Sequence, residues 1–253
     1  MMIARGRAIL MIMTENTAFV TGADHGLGLS MTGILLQRGW NVVAGRYVSA
    51  ERALDDLARD YGERLLTVPL DISDSASVAR AAEQTLSARP VIDMVINNAA
   101  ILGNEGLKNR IADGLNYESI MSTISVNSLG ALRVVEALLP GLERSDARRL
   151  CFVSSEAGSI ARSYRPAWFG YCMSKAALNM GISILFNDLR PKGYRFRVYH
   201  PGWVRTFMSG VESTEATYTP DEAAGLAVEY FVDLRVDEDR LVMRDDARNE
   251  WPW

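Results

Sequence analysis

The stretch that most constrains this chain is Thr17 to Gly28, TAFVTGADHGLG. A short apolar run, Thr17 to Thr21, leads into Gly22, Gly26 and Gly28. Leu27, Met31, Ile34 and Leu35 then recur at helical spacing, and Gly39 stands where that helix should stop. Strand, glycine turn and helix in this order let a backbone approach a pyrophosphate, whose charge rests at the helix N-terminus. The spacing Gly-x-x-x-Gly-x-Gly differs from the Gly-x-Gly-x-x-Gly of the standard dinucleotide fingerprint. Gly22, Asp24, His25, Gly26, Leu27 and Gly28 are the candidate contacts of this loop.

The alternation continues along the chain. Asn41 to Ala44, Leu65 to Val68, Val91 to Ile96, Leu150 to Val153 and Arg195 to Tyr199 read as strands. Helical patterns separate them: Ala50 to Tyr61, Val78 to Leu86, Ile120 to Leu139 and Leu178 to Leu189. Thr219-Pro220-Asp221-Glu222 is a capping box that starts one more helix, and Leu241 to Met243 is a short seventh strand candidate. Strands alternating with helices give a mostly parallel sheet covered on both faces. The expected architecture is α/β, a single doubly wound Rossmann domain over residues 14–253 with six or seven strands. Residues 1–13 form a loose N-terminal arm, and translation starts at either Met1 or Met13.

Tyr171 and Lys175 lie four residues apart, so on a helix they address one small volume. A phenol with a pKa near ~10 is a poor acid at neutral pH, and a nearby ammonium makes it a better one. The pair is informative because the chain has nine tyrosines and only three lysines, Lys108, Lys175 and Lys192. Ser154-Ser155 falls at the end of a strand, on the edge where open α/β sheets bind ligands. With two histidines in the chain and none suitably placed, a nucleophilic serine is not expected, and a hydroxyl that holds a substrate oxygen is. Asn127 sits mid-helix, where asparagine is a poor choice, so it is either exposed or functional. No metal site is expected. The net charge of −4 gives no reason to expect nucleic acid or an anionic membrane as partner. Cys151 and Cys172 cannot make a disulfide framework and suit the cytoplasm.

Thr21-Gly22-x-x-x-Gly26-x-Gly28, Asn97-Asn98-Ala99-Ala100, Ser155, Tyr171-x-x-x-Lys175 and Pro201-Gly202-x-x-x-Thr206 together resemble the short-chain dehydrogenases/reductases. His-Pro-Gly-Trp-Val and Tyr-x-x-Ser-Lys-Ala-Ala-Leu-Asn look like the sniffer and C-factor-like carbonyl reductase branch. The resemblance implies NADP(H) as cofactor and a carbonyl or alcohol substrate. Arg46, where a carboxylate would favour NAD, is a fixed cation suited to a 2′-phosphate, and His25 is a second candidate contact. The family pattern places Asp71 and Ile72 at the adenine, Asn98 and Ala99 along the cofactor, and Pro201, Gly202, Val204 and Thr206 at the nicotinamide. It makes Asn127, Ser155, Tyr171 and Lys175 the catalytic set, with Tyr171 and Lys175 also touching the cofactor. Two departures stand out: Ala100 replaces a glycine, and Ser155 lies 16 residues before Tyr171 rather than the usual 13. The resemblance also implies a homodimer or homotetramer, and it leaves room for a non-catalytic NADP(H) sensor or C-factor-like signalling protein. Tyr164, Trp168, Phe169, Ile101, Leu102, Trp203 and Phe207 are candidates for an aromatic substrate wall.

Overall fold

Side-chain alternation along β1 (Thr17–Val20) already separates two cores. Ala18 and Val20 face one side of the sheet and Phe19 the other, and all three are buried. The same alternation runs through β2 (Asn41–Arg46), β4 (Met94–Asn97), β5 (Arg149–Val153) and β6 (Arg195–Tyr199). One face packs on α1 (Gly26–Gln37) and α7 (Pro220–Val232). The other packs on α3 (Ser75–Ala88), α5 (Ala131–Leu142) and α6 (Phe169–Leu189). Strands buried on both faces carry apolar side chains at consecutive positions, as β1, β2 and β4 do, whereas β6 alternates Arg195 and Arg197 with Phe196 and Val198. The computed structural model describes residues 16–103, 109–206, 208, 213–235 and 239–253. The arm expected at 1–13, and Phe207, lie outside the described residues.

With β3 (Leu65–Pro69), β7 (Met243–Arg244) and β8 (Glu250–Trp251), the strands form one sheet in the order β3-β2-β1-β4-β5-β6-β7-β8. All pairs are parallel except β7 with β8. The strand order reverses between β1 and β4, so a crevice opens at their carboxyl ends. Among the described residues the sheet thus has eight strands, one beyond the expected upper number. β7 and β8 have two residues each and are joined by a turn in which Arg248 N–H donates to the Asp245 carbonyl at 2.9 Å. Strands this short carry no periodicity to read.

Two arginines are buried under the end of α7. Arg149 donates to the Phe231 carbonyl at 2.8 Å, and Arg197 to the Asp233 carbonyl at 3.2 Å. Both are 2 % exposed. They complete the last carbonyls of the helix and complement the negative end of its dipole. At the other end, the expected capping box is present: Thr219 Oγ1 accepts from Glu222 N–H, and the Glu222 carboxylate accepts from Thr219 N–H at 2.8 Å.

The long helix expected from Ile120 to Leu139 is not uniform. α4 (Tyr117–Ile124) passes into a π-helical turn, Ser125–Gly130, before α5 begins. Asn127 sits inside this turn.

Candidate active site

The glycine loop is held open by Asn98. Its Nδ2 donates to the carbonyls of Thr21 and Gly22, at 3.0 and 3.1 Å. Thr21 Oγ1 accepts from the N–H groups of Asn98 and Ala99. The loop and the β4 end are therefore one unit across the switch point. Gly28 has no room for a side chain, since an added Cβ would lie 1.9 Å from the Gly22 carbonyl oxygen. Gly22 and Gly26 have φ of +60° and +54°, in the left-handed region that favours glycine. A Cβ on Gly26 would come within 3.7 Å of the Thr206 methyl, so loop and Pro201–Thr206 turn face one another. That turn is anchored by Tyr218, whose N–H donates to Trp203 and whose carbonyl accepts from Arg205. Val204 forms an isolated bridge with Tyr218.

Arg46 ends β2, and its Nη2 donates to Asp55 Oδ1 at 2.7 Å, on α2 (Ala53–Tyr61). Its Nε is buried without a hydrogen-bond partner. Asp24 is buried and accepts from Val48 N–H at 2.7 Å, tying the glycine loop to the segment after β2. Its other oxygen has no hydrogen-bond partner and lies 3.8 Å from His25 Nδ1. The Asp24 carboxylate raises the His25 pKa, which favours the imidazolium. Asp71 behaves as a local cap: Oδ1 accepts from the Ser73 N–H and hydroxyl. Ile72 packs on Gly130, where an added Cβ would lie 2.8 Å from its side chain.

Ser155 follows β5, and Tyr171 and Lys175 lie on α6. Burial dominates at Tyr171 and pushes the phenol up to about 12, against a smaller lowering from the nearby Ser155 hydroxyl. This corrects the expectation of a phenol depressed by its lysine. Lys175 Nζ donates to the Val153 carbonyl at 3.0 Å and lies 5.8 Å from the centroid of the Tyr171 ring. Burial pulls the lysine itself down to about 8. The ammonium is thus held under the sheet edge, not on the phenolic oxygen.

Asn127 is 2 % exposed. Its Oδ1 accepts from Ile101 N–H at 2.8 Å, and its Nδ2 donates to the Ile101 carbonyl at 2.8 Å and to Ser174 Oγ at 2.9 Å. It fastens the strand-end loop to α6, one residue from Lys175. π-Helical turns inside α-helices occur frequently at functional sites.

A small cleft of about 40 Å³ opens beside Tyr171, lined by Leu102, Trp168 and Phe169 as the sequence suggested. Ser119, Ile120 and Thr123 of α4 also line it. The sequence reading missed these three, although Ser119 and Thr123 sit one helical turn apart on one face of α4. Tyr164 and Trp203 are largely exposed, and neither they nor Ile101 line this cleft.

The short chain dehydrogenase family model matches residues 16–217. The chain belongs to the short-chain dehydrogenase family. C-signal of Myxococcus xanthus is 40% identical over 135 residues, 53% of this chain and 78% of that protein. Mouse retinol dehydrogenase 5 is 32% identical over 79% of this chain, a match that spans 60% of its own length. The NADPH-bound carbonyl reductase from chicken fatty liver superposes with a TM-score of 0.84 at 27% identity, covering 94% of this chain and 99% of that one. As in other short-chain dehydrogenases, chemistry rests on side chains grafted on a common fold, and the fold alone does not choose the substrate.

Proposed function

We propose that this short-chain dehydrogenase reduces a carbonyl compound with NADPH, or runs the reverse oxidation. The observation that carries the reading is the meeting of Ser155, Tyr171 and Lys175 at one sheet edge, with Asn127 bracing it. NADP(H), when bound, supplies or accepts the hydride at the carbonyl carbon. The residues present suit that group: a glycine cradle without side chains, a guanidinium with an unpartnered Nε at the end of β2, and a facing turn at Thr206. The chicken carbonyl reductase with NADPH is similar over nearly the whole chain, which supports the choice.

The chain's own groups then divide the work. Ser155 hydrogen-bonds the carbonyl oxygen. Tyr171, protonated at neutral pH with its pKa near 12, donates its proton to that oxygen as negative charge develops. The Ser155 hydroxyl stabilises the phenolate left behind, and the Lys175 ammonium, 5.8 Å from the Tyr171 ring centroid, adds only a through-space charge. Lys175, at about 8, titrates close to the operating pH and relays to Tyr171 a replacement proton drawn from water. Asn127 positions this machinery: its amide holds Ile101 and Ser174, next to Lys175. Arg46 and His25 take the 2′-phosphate, and Asp71 and Ile72 the adenine.

Tyr171→Phe tests the reading. NADPH binding, followed by nicotinamide fluorescence, stays within a few-fold, while turnover of a panel of aldehydes, ketones and diketones falls by about 10²–10⁴-fold. Unchanged turnover disproves the assignment.

A second reading is a non-catalytic NADP(H)-binding signalling protein. The 40% identity to C-signal favours it. The complete Ser, Tyr, Lys and Asn set favours the enzyme, because a sensor does not need a proton donor. Tight NADPH binding without turnover of any carbonyl shifts the choice to the sensor. In either case an exposed apolar stripe on α4 and α6 supports assembly as a homodimer or homotetramer: Met121, Met173, Met180 and Ile184 are each at least 50 % exposed. No helix among the described residues is long and apolar enough to cross a membrane. Two cysteines without a disulfide are consistent with the cytoplasm.

A further inference from the structure

The segment between Ser155 and Tyr171 is three residues longer than the usual spacing, and it contains Arg165, which joins Glu156 to the aromatic residues beside the cleft. Arg165 makes a two-pronged ion pair with Glu156, Nη1 to Oε2 at 3.0 Å and Nη2 to Oε1 at 2.5 Å. Its guanidinium also lies over two rings, Tyr164 at 4.5 Å and Trp168 at 4.8 Å. Trp168 in turn meets Tyr171 edge-on at 6.1 Å and lines the cleft. Glu156 directly follows Ser155 and opens the turn that Ser155 caps. Side-chain exposures of 18 % for Arg165 and 23 % for Glu156 show that both charges are largely withdrawn from water.

We infer that the Glu156–Arg165 pair makes this site selective for uncharged carbonyl compounds with a flat apolar body, and that it turns away carbonyl compounds bearing a carboxylate. The inference rests on the carbonyl-reducing reading above and narrows its substrate class. The physical reason is competition for one fork. A guanidinium already paired at both prongs and covered by aromatic faces has no open edge for a second carboxylate. A substrate anion entering beside Tyr171 meets the Glu156 charge and loses its own hydration without gaining a partner. Two polar groups on the opposite wall already have partners: Thr123 Oγ1 donates to the Ser119 carbonyl at 2.8 Å, and Asn116 Oδ1 accepts from the Ser119 N–H at 2.9 Å. The cleft also carries Asn109, whose Nδ2 donates to the Gly114 carbonyl at 3.4 Å, and the apolar side chains of Leu102, Leu115, Ile120, Trp168 and Phe169, which offer surface to the body of an aromatic or alicyclic ketone or aldehyde.

The experiment compares 4-nitrobenzaldehyde with 4-formylbenzoate, which share a reacting aldehyde and differ by a carboxylate. The wild-type protein with NADPH shows kcat/KM at least about tenfold higher for the neutral compound, the factor expected for one missing charge-assisted contact. In Glu156→Gln, Arg165 keeps its place but loses its counter-charge, and KM for 4-formylbenzoate falls about tenfold while that for the neutral aldehyde moves less than about threefold. Arg165→Met serves where Glu156→Gln fails to fold; it leaves Glu156 unpaired and widens the preference for the neutral compound. Equal kcat/KM for the two wild-type substrates, or a ratio unmoved by Glu156→Gln or Arg165→Met, overturns the inference. Isothermal titration of both compounds into the NADP⁺-loaded protein reads the same preference without turnover. Selective binding with no turnover therefore removes the carbonyl-reducing reading and leaves the selectivity standing, whereas unselective turnover does the reverse.

Discussion

At the scale of single residues, Lys175 shows how this site trades stability for chemistry. Its ammonium is 3 % exposed and held by one strand-end carbonyl, so its pKa falls from 10.5 to about 8. Below about pH 8 both folded and unfolded chains carry the proton, and the folded chain bears the full cost of burying it, on the order of 3 kcal/mol. From pH 8 to 10.5 the unfolded chain holds more protons than the folded one, so stability rises with pH across that window. Lys175→Met is therefore expected to be more stable than wild type by about 2 kcal/mol at pH 7, with the gain shrinking toward pH 10. Its turnover is expected to fall by about 10²–10⁴-fold. Urea denaturation at pH 7 and pH 10 measures this; an equal gain at both values contradicts it. Arg46 makes the second residue-scale case. Arg46→Asp is expected to weaken NADPH binding by about 10- to 100-fold, the worth of a hydrogen-bonded charge, and to leave NADH binding nearly unchanged. Parallel fluorescence titrations decide it, and equal losses for both nucleotides point to a merely structural arginine. Tyr171 and Lys175 were legible in the sequence because their spacing is local. The raised phenol pKa was not, because burial arises from α6 docking on the sheet.

Elements carry a different kind of constraint. The glycine loop is the tightest joint in the fold, since Gly28 faces a fixed backbone oxygen and Asn98 in the same space. Gly28→Ala must displace Gly22, so it is expected to destabilise the protein by about 1–3 kcal/mol and to abolish measurable NADPH binding. Thermal denaturation with and without NADPH tests both halves; a normal ligand-induced shift in Tm refutes the proposed cradle. The loop's existence was readable because glycine spacing, a preceding strand and a following helix are consecutive in the chain. Its partner was not readable. Asn98 lies 76 residues from Gly22, and nothing local says that its amide turns to the loop rather than to its own turn. The π turn at Ser125–Gly130 is similar: Asn127 was conspicuous as a poor helix residue, but its three hydrogen bonds join Ile101 and Ser174, both distant in sequence.

For the whole molecule, the exposed stripe on α6 gives a test of assembly. Met173, Met180 and Ile184 follow one another at seven and four residues, so they share one face of the helix, and burying such side chains between copies contributes about 1.5–3 kcal/mol each. Met180→Glu is expected to shift the protein from oligomer to monomer in sedimentation velocity, with its helical circular dichroism retained. A wild-type protein that sediments as a monomer removes the stripe from consideration. The sequence by itself determined the order of strands and helices, the two-sided burial of the sheet and the nucleotide loop, because apolar periodicity and glycine spacing act over a few residues. Tertiary structure alone decided that eight strands pair, that Arg46 meets Asp55 and that Glu156 takes both prongs of Arg165. It also set the burial of Tyr171 and Lys175, and hence their proton affinities. These properties depend on which distant segments exclude water from one another, and no local run of residues specifies that.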